Sequence, residues 1–93
     1  MTVYRVECED GGGPFYHLDG TPRQEGLPIF KNNLELYGAD SIENLKKLIS
    51  NYGLNFDDYI LKKYENVQII NYNKYNGHII FKKGESNNDR TTF

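Results

Sequence analysis

Asp40-Ser41-Ile42-Glu43-Asn44-Leu45-Lys46-Lys47-Leu48-Ile49-Ser50-Asn51-Tyr52-Gly53 is the stretch whose reading decides the fold. Ile42, Leu45, Leu48, Ile49 and Tyr52 recur at three- and four-residue spacing and form one apolar stripe. Asp40 stands where an N-cap belongs, and Glu43 follows three residues later, as in a capping box. Gly53 falls where a left-handed residue ends a helix. Start, stripe and stop agree on a helix over residues 41–52. Its single apolar face requires a layer to pack against.

That layer lies on either side in the chain. Residues 2–9 read as a strand with Tyr4, Val6 and Cys8 on one face and Val3, Arg5 and Glu7 on the other. Residues 67–72 and 78–83 are rich in Val, Ile, Tyr and Phe, and Asn76-Gly77 between them suits a tight type I′ hairpin turn. Asn55 is placed to cap a second, shorter helix over residues 56–64, with Phe56, Tyr59, Ile60 and Tyr64 on one side. A further extended element is read over residues 28–37, where Leu34 and Leu36 alternate, after a long irregular segment from Asp10 to about Phe30. The expected fold is α+β: a small antiparallel sheet, built from the first strand and the C-terminal hairpin, with one face packed against one or two helices. Residues 1–83 form the single domain, and residues 84–93 read as a frayed, flexible tail.

Composition narrows the function classes. The chain has 93 residues, enough for one domain, and 38% of them are hydrophobic, so eight Tyr and five Phe must supply much of the buried area. Thirteen acids against eleven bases give a charge of −2, without the basic excess of a general nucleic-acid binder. The single Cys8 precludes an internal disulfide and fits a reducing compartment. No apolar run approaches the length needed to cross a bilayer, and the N-terminus lacks the pattern of a secretory signal. The expectation is a soluble cytoplasmic protein without membrane or direct nucleic-acid partners.

The chemistry-bearing residues are few. Cys8, His17 and His78 are the only soft or imidazole ligands, without the spacing of a metal site, so neither metal nor cofactor is expected. Cys8 falls on a core face, where a thiol acts as a small inert hydrophobe. Asp57-Asp58 reads as an acidic first turn complementing a helix dipole. Gly11-Gly12-Gly13-Pro14 matches neither a Walker loop nor a dinucleotide fingerprint. It reads as a shaped turn, with a backbone nest for an anion as the alternative. Phe15, Tyr16, Tyr37, Tyr72 and Tyr75 fall in loops or near strand ends, and tyrosine is favoured in contact surfaces. The expected partner-binding surface comprises Glu7, Glu9, Asp10, Phe15, Tyr16, His17, Tyr72 and Tyr75, and no catalytic residue is assigned.

Val3-Tyr4-Arg5-Val6-Glu7, followed by Gly13-Pro14-Phe15-Tyr16, resembles the opening of a family of small phage and prophage proteins with a Tyr-Arg-Val-Glu strand and a Gly-Pro-aromatic loop. The stretch from Tyr37 to Leu45 is similar to that family's aromatic-Gly helix start, and the run from Tyr72 to Phe81 to its closing hairpin. The chain departs from the pattern at Tyr16-His17, where arginine is common, and lacks an aromatic after Leu48. The family has no defined chemistry to carry over. The resemblance implies an accessory protein of a mobile element that binds and inhibits a host defence protein, of the anti-CRISPR kind, with a CRISPR-associated nuclease or complex as partner. The alternatives are a small-molecule or nucleotide binder, or a minimal transferase, using the loop at residues 11–13 with Arg5 and His17, and a self-associating subunit such as a homodimer.

Overall fold

The structure, a computed structural model, describes residues 1–17, 19, 21–23 and 35–82. It is α+β: one helix, α1 (Ile42–Asn51), and a five-stranded antiparallel sheet. The strands are β1 (Val3–Glu7), β2 (Glu35–Ala39), β3 (Ile60–Tyr64), β4 (Gln68–Tyr72) and β5 (His78–Lys82), in the spatial order β3-β1-β2-β5-β4. The sheet therefore has two more strands than the sequence reading. Of the extended element read over residues 28–37, residues 35–37 open β2. The rest of it, most of the irregular segment before it, and the tail at 84–93 lie outside the described residues.

α1 forms where its local signals place it, with one correction. The N-cap is Ser41, whose hydroxyl accepts from the Asn44 amide at 3.1 Å. Asp40, the expected cap, instead accepts from the Asn44 side chain and from the Tyr72 hydroxyl, both at 2.8 Å. Asp40 thus ties the start of α1 to β4. The helix closes with paired bonds from Gly53 to the Ser50 carbonyl and from Leu54 to the Ile49 carbonyl, a Schellman motif with Gly53 at φ 74°.

The expected helix over residues 56–64 is a correction. Asn55 does cap, but it caps a single 3-10 turn, Phe56–Asp58, after which the chain becomes β3. β1 would otherwise have an open edge beside it, and β3 pairs with it along all five residues, from Val3 opposite Tyr64 to Glu7 opposite Ile60. Long-range pairing overrides the helical spacing of the apolar residues. The hairpin is corrected too. β4 and β5 are joined by residues 73–77, in which Gly77 alone has positive φ, so the connection is not a two-residue type I′ turn. Asn73 and Asn76 bend it by accepting, on their side chains, the amides of Tyr75 and His78.

The sheet is strongly curled. β3 and β4 are its opposite edges and run in the same direction, yet only residues 65–67 join them. A flat sheet would hold these edges about 19 Å apart, while the link reaches about 14 Å. Asn66, at φ 59°, turns the ribbon where it passes from β1 to β5. The curl brings the Tyr64 ring on one edge strand to 5.5 Å from the Phe81 ring on β5.

Curling gives the sheet two buried faces, not the single one expected. On the helix side Val6 and Ala39 pack with Phe15, Leu45, Leu48 and Ile49. On the concave side Val3, Ile79 and Phe81 pack with Leu36, Tyr64, Val67, Ile69 and Tyr72. A register shift between Ile69 and Asn71 lets both Ile69 and Tyr72 turn inward. Gly38 sits where the backbones of β1 and β2 come closest. A Cβ there would lie 2.6 Å from the Tyr4 carbonyl oxygen and 2.7 Å from Val3 Cγ1. Gly38→Ala is therefore expected to destabilise the fold by about 3 kcal/mol, at the upper end of overpacking costs, read as a lowered urea midpoint at unchanged slope.

Candidate functional site

β1 and β2 meet at one register pair, Tyr4 opposite Ala39, and then part. A continued ladder would set Val6 opposite Tyr37; instead, the Arg5 side chain enters the gap. Its Nη1 donates to the Tyr37 carbonyl at 3.2 Å, and its Nε donates to Glu7 Oε2 at 2.9 Å. Glu7 Oε2 also accepts from the Tyr64 hydroxyl at 2.5 Å. Arg5 and Glu7 are each 5% exposed, so this is a buried ion pair with a phenol attached. Burial, and secondarily the hydrogen bond to Glu7, push the Tyr64 hydroxyl well above the ordinary tyrosine range.

The segment after β1 folds back over this gap. Gly11 donates its amide to the Cys8 carbonyl, Gly12 to Asp10 Oδ1 and Gly13 to the Tyr16 carbonyl. All three glycine N–H groups are thus used within the loop, and no amide nest faces outward for a phosphate. The Gly12 amide, chief among its contacts, holds the Asp10 carboxyl below the usual range. Arg23 secures the far side, with Nε donating to the Gly13 carbonyl at 2.6 Å and its amide to the Phe15 carbonyl at 2.8 Å. Gly13 lies against the Arg5 guanidinium so closely that a Cβ would stand 3.3 Å from Nη2. Beneath the loop is a cavity of about 40 Å³. Arg5, Val6, Gly13, Phe15 and Tyr37 line it, and Leu45, Leu48 and Ile49 of α1 form its floor.

The residues expected to form one contact surface are dispersed. Glu7 is buried in its pair with Arg5, so it cannot reach a basic partner. Phe15, expected as a loop anchor, is 5% exposed, with its ring 4.7 Å from that of Tyr52. The loop turns Phe15 inward because the helix-side core needs a large ring between α1 and β2. Glu9, Asp10 and His17 are exposed and Tyr16 is half-buried, all around the glycine loop at the end of β1. Tyr72 and Tyr75 lie at the other end of the sheet, where β1 begins, with Tyr72 held by Asp40 and Tyr75 fully exposed at the turn. Cys8 is half-buried and donates weakly to the Gly13 carbonyl. His17 and His78 do not join it in any metal-binding group among the described residues.

The strand that the sequence reading missed presents a different surface. β3 has β1 on one side and, among the described residues, no strand on the other. Ile60 and Leu61 are 44% and 42% exposed, and Lys62 and Lys63 are also exposed. Lys63 is 3.5 Å from Glu65, whereas Lys62 has no ion-pair partner among the described residues. The signal that could have revealed it is Ile60-Leu61 followed by two lysines, an apolar pair with the charge that commonly guards a sheet edge.

No protein-family model, curated protein or solved structure matches the chain significantly. No helix among the described residues is long and apolar enough to cross a membrane.

Two outcomes test the buried network. Glu7→Gln removes the anion that balances Arg5 and is expected to cost about 3–5 kcal/mol by urea denaturation, whereas Arg5→Met/Glu7→Leu/Tyr64→Phe stays closer to wild type. The second concerns pH. Unfolded tyrosine releases its proton near pH 10, while folded Tyr64 keeps it, so this contribution is fully present below about pH 10 and is lost as pH rises further. Denaturation between neutral and strongly alkaline pH is expected to show that loss, with a shallower decline in Tyr64→Phe.

Proposed function

We propose that this protein is a non-enzymatic binding protein that captures an extended segment of a host protein along β3. The observation that carries this reading is the β3 edge: five residues in regular register with β1, an open second side among the described residues, and exposed Ile60 and Leu61. An added strand gains main-chain hydrogen bonds along such an edge, and the alternating side chains supply selectivity.

Charge selects the partner. Two β3 strands paired antiparallel about their centre would set Lys62 against Lys62, and like charges directly opposite destabilise a pair. A second copy is thus a poor occupant. A segment carrying Asp or Glu opposite Lys62, with apolar residues meeting Ile60 and Leu61, is a good one. The resemblance to small phage proteins makes a host defence protein, a CRISPR-associated nuclease or complex among them, the first partner to test. Inhibition would follow from occupying a segment that the partner needs free.

The test is quantitative binding of purified candidate effectors to immobilised wild-type protein and to Leu61→Glu/Lys62→Glu. These changes lie on an exposed edge, so the fold should survive. Roughly tenfold or greater loss of affinity is expected, with Tyr75→Ala unchanged. Equal binding by the β3 variant would remove the strand-addition reading, and loss on Tyr75→Ala instead would move the interface to the opposite end of the sheet.

A further inference from the structure

Asn76-Gly77, read from the sequence as a hairpin turn, carries a chemistry that the β3 edge does not use. Asn76 is the one asparagine in the chain followed by glycine. A glycine has no Cβ to crowd its amide, so that nitrogen can reach the side-chain carbonyl of a preceding asparagine. Asn76 is exposed, and its Oδ1 accepts from the His78 amide at 2.9 Å. That Asx turn folds the side chain back toward the Gly77 peptide and polarises its carbonyl for attack. One bond opposes the reaction, because the Gly77 amide donates to the Asn73 carbonyl at 2.8 Å. It closes a turn whose residues 73–76 are all exposed, so it can open by local fluctuation without unfolding the sheet.

Packing calls for the glycine. Gly77 is buried at φ 79°, and a Cβ there would collide with Asp40 Oδ1 and Asn44 Nδ2 at the start of α1. Its carbonyl accepts the Asp40 amide at 2.9 Å, and the Asp40 carboxylate accepts from the Asn44 side chain and the Tyr72 hydroxyl. Gly77 is thus a point where the β4–β5 hairpin is fastened to the helix, and the reactive pair lies directly on it.

We propose that Asn76 is a self-modification site, and that its conversion to isoaspartate unfastens the β4–β5 turn from α1. The Gly77 nitrogen gives up its proton and attacks Asn76 Cγ. The new C–N bond forms, the Cγ–Nδ2 bond breaks, and Nδ2 leaves with a proton as ammonia. Water then opens the cyclic imide. Breaking the imide bond at Cγ gives aspartate, whereas breaking it at the main-chain carbonyl carbon gives isoaspartate, whose backbone runs through Cβ and Cγ. The net change is asparagine plus water to an acidic residue plus ammonia. Isoaspartate adds a methylene to the main chain just before Gly77, which has no space toward Asp40 and Asn44 to absorb it. The added length breaks the Gly77 bonds to Asn73 and Asp40. Aspartate keeps the original backbone and an oxygen for the His78 amide, so it leaves the fastening intact. The turn is separate from the β3 edge, so this inference stands whether or not a partner binds there.

The full chain is incubated folded at neutral and mildly alkaline pH, and in urea, then digested and mapped by mass spectrometry that separates aspartate from isoaspartate. In the folded protein Asn76 is expected to convert ahead of every other asparagine, faster as pH rises because the attacking nitrogen must lose its proton. Conversion confined to the urea-unfolded chain, or another asparagine converting first, would overturn the assignment. The isoaspartate form, isolated by chromatography, and Asn76→Asp carry the same charge, so comparing them isolates the change in backbone. Loss of the two Gly77 bonds should lower the urea midpoint of the isoaspartate form by roughly 1 M, with Asn76→Asp near wild type. Hydrogen exchange at the Asp40 amide should quicken in the isoaspartate form alone. An unchanged midpoint in that form, or an equal drop in Asn76→Asp, would overturn the unfastening.

Discussion

The Arg5 guanidinium stands where β1 and β2 part, and the surrounding structure is arranged around it. In that gap the Tyr37 carbonyl accepts from the Arg5 side chain, where a continued ladder would have used the β1 backbone. Arg5 fills the gap, Glu7 balances its charge, and Tyr64 ties that pair to the outer strand. The glycine loop packs on the same group, with Gly13 so near the guanidinium that a Cβ there would be a tight contact. Phe15 then reaches the core from a loop whose position Arg5 sets.

A small chain with a modest hydrophobic share usually struggles to bury enough surface. This one buries both faces of a single sheet. The helix covers one face, and the curl of the sheet covers much of the other with its own side chains. Aromatic residues make this work: Tyr64, Tyr72 and Phe81 carry area into the concave side, and the Tyr64 hydroxyl is satisfied by the buried carboxylate.

What was legible in the sequence was local. The stripe, cap region and terminal glycine of α1 all lie within residues 40–53, and they place the helix to within a residue at each end. The strands near residues 3–7 and 78–82 were legible for the same reason. β3 was not, because Phe56, Tyr59, Ile60 and Tyr64 fit a helical face and only the distant edge of β1 decides against it. The fate of Glu7 was half-legible: Arg5 stands two residues earlier on the same face of a strand, the spacing that pairs them. Phe15 was read as exposed because a glycine-proline turn usually lies at the surface, and nothing local shows that this one folds back over α1. The candidate surfaces, the β3 edge and the Arg5 cleft, are both products of long-range pairing, so no motif announces them.

The pairing of β1 with β3 also has a consequence for how the chain is made. β1 leaves the ribosome well before the partner that covers its full length, which starts at Ile60. At ordinary elongation rates that interval is on the order of several seconds, during which β1 carries Val3 and Val6 with no complete neighbour. α1 is built from near neighbours and can form at once, but the β1–β3 ladder must wait and then close a long loop. The nascent chain is therefore vulnerable to misassociation through β1, which is covered along its length only once Ile60–Tyr64 have emerged.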